Sequence, residues 1–430
     1  MKSTDVVTKI ELEKLHKKHS ERIEDWQFFT LTYDGGRAFI QHVINRKNPR
    51  ETAANFKARR DEAVNFNYAR SIIDLFSFYL CEKAPIRNIN ETKLANNELW
   101  DMFSKDCDQS GTDWNDYMNE AERRAAITGT FGMLLIKPKH GFSTRQAEIA
   151  NGIYPYLAGY GAQSILDWRY GTDPATGRRC LEYLKLREED GDYLLYWPEA
   201  YKRVRLEKGE NSDSNGIKLI DNGTNTLGEI PFVWLPNIRD ITSPNIGASD
   251  LQDIAPIVAS LVRDLSHGSE VIKWAAFPML RHPKKSGYEI SINTATGKKA
   301  KDVPVGQKSV LQFDPKDGES GKPDWLESVV LDPIEAVLKW MDRKVDEIFR
   351  MAHLSGVHGQ RKSNNEVSSG VALRYEFQQL TSVLTRKAKA VSEAERQIIY
   401  FWCKWQQVNL NFGKLDIKRE KEFSIDDLAM

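Results

Sequence analysis

Apolar positions recur at helical spacing through the first 130 residues. Residues 12–28 read as a helix, broken at the turn Tyr33-Asp34-Gly35-Gly36. A longer helix is predicted after Pro49, from about 51 to 82, where Pro85 stops it. Within it Phe56, Ala63, Phe66, Ala69, Ile73 and Phe76 are spaced by three, four and seven residues, which puts them on one face, read as a core face. A third helix, 114–128, is predicted to end at Gly129, and the apolar run 131–136 suits a buried strand.

The period then changes. Between 153 and 236 short β-rich runs (164–168, 181–187, 193–197, 201–207, 232–235) are separated by turn clusters such as Asp190-Gly191, which predicts an antiparallel β module. A second such module is predicted over 277–325, punctuated by Pro278, Gly287, Gly297, Pro304, Gly306, Gly318 and Gly321. Two amphipathic helices bracket it. Leu251, Ile254, Val258, Leu261, Val262 and Leu265 form the stripe of the first, after Ser249 as expected N-cap. Ile334, Val337, Leu338, Met341, Val345, Ile348 and Phe349 form that of the second, expected over 332–355 with Pro333 in its first turn. A polar loop, 359–370, leads into a last helical stretch reaching about residue 408, with Leu373, Phe377, Leu380, Leu384 and Val391 in register. The fold class is therefore α+β.

Composition bounds the function. The 430 residues hold 61 Lys+Arg and 61 Asp+Glu, a balance that argues against a protein that coats nucleic acid. With 18 Phe, 15 Tyr and 11 Trp the chain has ample material for packed cores. Cys81, Cys107, Cys180 and Cys403 are scattered without close pairing, and the N-terminus has no signal-peptide core, so a reducing, cytoplasmic setting and no membrane partner are expected. Catalytic patterns are missing: no Walker A sequence, no Gly-x-Ser-x-Gly elbow and no metal-ligand spacing. Gly159-Tyr160-Gly161 lacks a third glycine and reads as a plain turn, and His16, His19, His353 and His358 read as solvated helix ends. No cofactor, no metal and no enzymatic activity are expected.

Several strings, taken in order, resemble the portal (head-to-tail connector) proteins of tailed bacteriophages, especially siphophages. Phe56-Lys-Ala-Arg-Arg60 through Asn65-Phe-Asn-Tyr-Ala-Arg70 is similar to their early helix. Ile165-Leu-Asp-Trp168 and Leu181 onward resemble wing strands, and Leu227-Gly-Glu-Ile-Pro-Phe232 resembles the family's Leu-Gly-x-Ile-Pro turn. Ser249-Asp-Leu-Gln-Asp-Ile254 resembles the start of the first stem helix, and Ser368-Ser-Gly-Val-Ala-Leu373 the segment after the tunnel loop. The resemblance spans about 12–425. Relatives commonly continue into further crown helices, so the crown is expected to be minimal here or the sequence truncated.

The resemblance implies a helical and β wing (1–248), a first stem helix (249–276), a clip (277–330), a second stem helix (331–357), a tunnel loop (358–369) and a wing/crown helix with a C-terminal segment (370–430). It implies a ring of self-associated chains, twelve in number, at one capsid vertex of a virion assembled in a bacterial cytoplasm. Double-stranded DNA would pass through it. Terminase large subunit, head–tail adaptor, major capsid and scaffolding proteins would be the partners. The tunnel loop would be Gln360, Arg361, Lys362, Ser363, Asn364 and Asn365, where the Arg–Lys pair forms a basic collar or merely part of a solvated loop. Clip docking would fall to Arg281, Lys284, Lys285, Lys298, Lys299 and Lys301, a basic run that suits an acidic partner, DNA or plain exposed hairpins. The channel lining would include Lys339, Asp342, Arg343, Asp346, Glu347 and Arg350, whose mixed signs fit a wall along which DNA slides. Two other classes stay open: a non-portal α+β structural or interaction protein of a virion, and a phage DNA-processing nuclease.

Overall fold

The computed structural model describes residues 7–49, 51–88, 94, 97–139, 141–142, 144–174, 177–207, 216–276, 279–283, 310–313, 324–326, 331–354, 370–408 and 415–419. The architecture is α+β, and the chain folds as two units: residues 1–34, 67–256 and 349–430 form one, residues 35–66 and 257–348 the other.

The first unit begins with α1 (Lys9–Glu13) and α2 (Lys17–Asp34). The single helix expected over 12–28 is thus two, interrupted at Lys14-Leu15-His16. The cause lies in another element. Lys185 Nζ, fully buried, donates to the carbonyls of Glu11 (2.8 Å), Leu12 (3.0 Å) and Lys14. These are the carbonyls that a continuing helix would have used, and an ammonium there also complements the helix dipole. Leu12 and Val7 are thereby packed on Tyr183, Leu195, Trp197, Val204 and Ile217.

Those residues belong to an antiparallel meander, β4 (Ile165–Thr172), β5 (Arg179–Arg187), β6 (Tyr193–Tyr196), β7 (Ala200–Leu206) and β8 (Ile217–Thr224), ordered as in sequence. A second sheet has β2 (Thr130–Ile136) between β3 (Tyr156–Gly161) and β9 (Phe232–Pro236), all antiparallel, and the short helix α8 (Arg145–Ala150) lies between β2 and β3 in the chain. Gly159 and Gly161 therefore sit in a strand, where a turn was expected. A Cβ on Gly159 would lie 2.7 Å from the Phe131 ring, so glycine is needed there for ring packing.

Helix α7 (Trp114–Thr128) matches its prediction residue for residue because both ends are encoded locally. Asp113 accepts the backbone N–H groups of Asn115 and Asp116, and Gly129 closes the helix at φ 89. α6 (Glu98–Lys105), α7 and α11 (Gly370–Trp405) meet in a cluster of Trp100, Phe103, Trp114 and Trp402. The Phe103–Trp114 and Trp100–Trp402 pairs are T-shaped at 4.9 and 5.0 Å, an arrangement contributing about 0.5–1.5 kcal/mol per pair beyond area burial. A two-stranded ladder, β1 (Ile86–Asn88) with β13 (Asp416–Lys418), completes this unit.

The helix expected over 51–82 is also two, α4 (Ala53–Glu62) and α5 (Tyr68–Cys81). Asn67 caps α5 by accepting the Arg70 N–H (3.0 Å), and its amide donates to the Tyr33 carbonyl (2.8 Å). Ala69, Ile73 and Phe76 are buried as predicted, whereas Phe66 is half-exposed. The seven-residue spacing continued across a break at 63–67, where Asn67 both caps α5 and bonds the distant Tyr33 carbonyl.

The second unit contains α3 (Gly36–Val43), α4, almost all of α9 (Ile254–Ala276) and α10 (Leu331–Met351), and the strands β10 (Met279–Pro283), β11 (Val310–Phe313) and β12 (Asp324–Leu326). The three strands form one sheet in the order β11-β10-β12. β10 runs antiparallel to β12 but parallel to β11, which departs from the all-antiparallel expectation. Ser249 is not the cap of α9. It heads a turn five residues earlier, accepting the Leu251 N–H and donating to the Ile127 carbonyl (2.6 Å). α10 closes in a Schellman turn on His353 (φ 57), with Leu354 N–H bonded to the Phe349 carbonyl, earlier than the expected 355.

His19 is buried rather than solvated: its Nε2 lies 3.2 Å from the Gln163 carbonyl, and His16 stacks on Trp168 at 3.9 Å. Burial pulls both imidazoles below the ordinary range, against the opposing Asp167 charge at His16 and the Gln163 carbonyl at His19. A depressed folded-state pKa means stability that is complete above the unfolded value and lost as pH falls through the folded one. The urea midpoint is accordingly expected to drop on going from pH 7 to 5, and by less in His19→Gln. An equal drop in both proteins would remove His19 from the account.

Candidate functional site on helix α10

α9 and α10 run antiparallel. Lys344 Nζ reaches Ser260 Oγ (2.6 Å) and Asp264 on α9, while a Cβ on Gly268 would meet Val337 one to two turns away at 3.7 Å. The strand-bearing insertion therefore joins the ends at Ala276 and Leu331. Small Gly268 permits the close approach, and Ile348 is fully buried.

The remainder of α10 is open. Lys339, Asp342, Arg343, Asp346 and Arg350 recur at steps of three and four residues and are all exposed, with Glu347 half-buried on the same side. Lys339 pairs with Glu335 one turn earlier at 3.5 Å. All six residues predicted as lining thus share one solvated face, three cations with three anions. Lys344, counted with them in any sum over the helix, is withdrawn onto α9, where it also lies 5.1 Å over the Trp340 ring. Flanking the charges on α10 are Leu338 and Trp340, each about half-exposed, as is Ile272 farther along α9. The face has no nucleophile. Among the described residues no group of His, Cys, Asp and Glu could hold a metal ion, and no helix is long and apolar enough to cross a membrane. What the surface offers is non-covalent: mixed charge beside uncovered apolar area.

The other predicted sites are placed less fully. Arg281 lies on β10, in register with Leu311 of β11 and Asp324 of β12. Lys284, Lys285, Lys298, Lys299 and Lys301 lie outside the described residues, as do Gln360, Arg361, Lys362, Ser363, Asn364 and Asn365.

Several buried ionic groups escaped prediction, Lys185, Asp192, Lys387 and Glu395 among them. So did the cations of the α3–α4 segment. Charge summed by segment rather than over the whole chain would have exposed the latter: residues 35–66 hold Arg37, Arg46, Lys47, Arg50, Lys57, Arg59 and Arg60 against Glu51, Asp61 and Glu62.

No protein-family model and no curated protein matches this sequence. Among solved structures, the chain is similar to a chain from the neck of an empty gene transfer agent particle, computed with sixfold symmetry (12% identity, TM-score 0.39, covering 82% of this chain and 80% of that one). It is similar also to a chain of the virion of a native gene transfer agent particle (12% identity, TM-score 0.39, covering 84% and 82%).

Proposed function

We propose that this chain is a portal-type subunit: a ring-forming component of a phage-like head–tail junction, without chemistry of its own, through which double-stranded DNA is packaged and released. The observation that carries the reading is the antiparallel α9/α10 pair, joined by a strand insertion and exposing one charge-balanced face beside Ile272, Leu338 and Trp340. The ordered strings of the sequence that resemble portals support it independently.

The physics fits a conduit. Each tight phosphate contact has to be broken at every step of translocation, so a wall whose cations are matched by anions holds DNA without stalling it. The half-exposed apolar side chains supply the association energy. A ring is built from one repeated head-to-tail contact, and burying such side chains contributes roughly 1–2 kcal/mol each. In this reading the strand insertion docks the terminase large subunit and afterwards the head–tail adaptor, the six lining residues face the DNA, and the segment 358–369 touches it. Major capsid and scaffolding proteins would surround the ring.

Light scattering on the full chain tests the reading. Twelve copies of a 49.3 kDa chain give about 590 kDa, whereas a stable monomer would overturn the proposal. Leu338→Glu combined with Trp340→Glu is expected to shift the mass to small species, at a cost of about 2–3 kcal/mol per contact, with the unfolding midpoint of the single chain unchanged. Retention of the full mass would show that these side chains are not at the subunit contact.

A further inference from the structure

The zero net charge of the chain conceals an uneven distribution. Residues 35–66 carry seven Lys/Arg and three Asp/Glu, leaving 54 against 58 elsewhere. In this segment each acid already has its cation. Glu51 takes Arg59 through both oxygens (2.8 and 3.0 Å), Asp61 lies 3.8 Å from Arg37, and Glu62 pairs with Lys273 of α9. Arg46, Lys47 and Lys57 are exposed, and none of them has an ion pair or hydrogen bond among the described residues.

The turn that presents two of these cations is held in place. Ile44 is buried at its entry. Asn48 N–H donates to Glu51 Oε2 and Glu51 N–H to the Asn48 carbonyl, both at 3.0 Å. Thr52 then caps α4 by accepting the Asn55 N–H (3.1 Å). The buried Arg59 fixes Glu51, so the acid nearest the turn is consumed in shaping it. Asn45 through Pro49 are all exposed and include no aromatic or branched aliphatic side chain.

We infer that Arg46, Lys47 and Lys57 form a docking surface for the phosphate backbone of double-stranded DNA. A preorganised cationic turn whose own residues, 45–49, offer no apolar anchor is poorly suited to a protein partner, whose interface core would be aromatic and poor in lysine. It is well suited to a ligand recognised by charge alone. Choosing the DNA duplex among polyanions rests on the reading of the chain as a portal-type subunit. The contact would be independent of base sequence, positioning the duplex without reading it.

The test uses the full chain and a labelled duplex of about 25 base pairs, titrated between roughly 50 and 200 mM salt. Changing Arg46, Lys47 and Lys57 together to glutamine is expected to lower the slope of log affinity against log salt by about three, equally for two unrelated sequences. Lys47→Gln alone is expected to give about a third of that change. The triple change Lys339→Gln, Arg343→Gln and Arg350→Gln serves as comparison and is expected to move the slope less. All three docking side chains being exposed and unpaired, the unfolding midpoint should stay at the parent value. An unchanged slope overturns the inference, as does tighter binding of poly-glutamate than of duplex through the same three residues. Particle mass measured on the same samples separates the two claims. An assembled ring with an unchanged slope overturns this inference alone, and a monomer with a reduced slope overturns the ring reading alone.

Discussion

Replacing Glu395 with glutamine is expected to destabilise the first unit by about 3–5 kcal/mol, the cost of leaving buried charges uncompensated. Glu395 is completely buried on α11. It accepts from Arg87 Nη2 (2.7 Å) and Nε (3.3 Å), from Arg419 Nη2 (2.7 Å) and from the Trp114 indole (3.1 Å). It thereby binds strand β1, the residue directly after β13 and the start of α7 to one point of α11. Burial works against its charge, but Arg419 and Arg87 outweigh that and hold the carboxyl below its ordinary range. With the folded pKa depressed, this contribution is present above the unfolded value and fades as pH falls through the folded one. Urea unfolding followed by tryptophan fluorescence measures the effect, since Trp114 touches the group. Changing Glu395, Arg87 and Arg419 together to methionine is expected to recover most of the loss, because an apolar cluster of similar volume carries no desolvation penalty. A single variant within 1 kcal/mol of the parent would show that water reaches the two guanidinium groups.

Lys387→Met is expected to cost a comparable 3–5 kcal/mol, with the opposite pH signature. Lys387, two turns before Glu395 on the same helix, is fully buried between Glu122 of α7 (3.3 Å) and Asp250. Asp250 also accepts the Asn237 amide (2.8 Å), and its backbone N–H donates to the Ala126 carbonyl. Removing the ammonium strands two carboxylates, one of which, Glu122, already has an oxygen without a partner. Burial opposes the lysine charge, yet Asp250 and Glu122 raise its pKa above the usual value. A raised folded pKa gives stability that is complete below the unfolded value and is lost as pH rises through the folded one. The wild-type protein should therefore lose this contribution only in alkali, and Lys387→Met should show no such alkaline loss. Adding Asp250→Asn and Glu122→Gln to Lys387→Met is expected to restore part of the stability. No restoration would mean that the lysine acts through packing over Phe76, 5.5 Å away, rather than through charge.

The legible parts of the fold are those whose signals are local. α7 could be delimited because Asp113 and Gly129 act on the backbone within a turn of themselves, and β2, to within one residue, because the six consecutive residues 131–136 suit burial. The break between α4 and α5 was not legible. Asn67 caps α5 locally, but its amide is held by the Tyr33 carbonyl, 34 residues away. The interruption after α1 likewise depends on Lys185, more than 170 residues on. The six α10 residues were brought together by the resemblance, and their spacing of three and four residues is what a helix converts into a shared face. That Lys344 leaves their company for Asp264 could not be read from the same spacing.

Taken by itself, the sequence determined the α+β class, the alternation of helical and strand-like segments, and the exact overall balance of charge. Periodicity and composition are sufficient for those, because amphipathic burial and turn chemistry act over a few residues. The partition of that charge was decided by tertiary structure. Lys185, Lys387 and Glu395 look in sequence like ordinary solvated residues, and they are buried only because distant carbonyls, carboxylates and guanidinium groups meet them at hydrogen-bond distance. Arg46 and Lys47 look no different, yet they remain exposed, without an ion pair or hydrogen bond among the described residues. A charge's role depends on its solvation and its partners, and both are set by contacts between residues far apart in the chain.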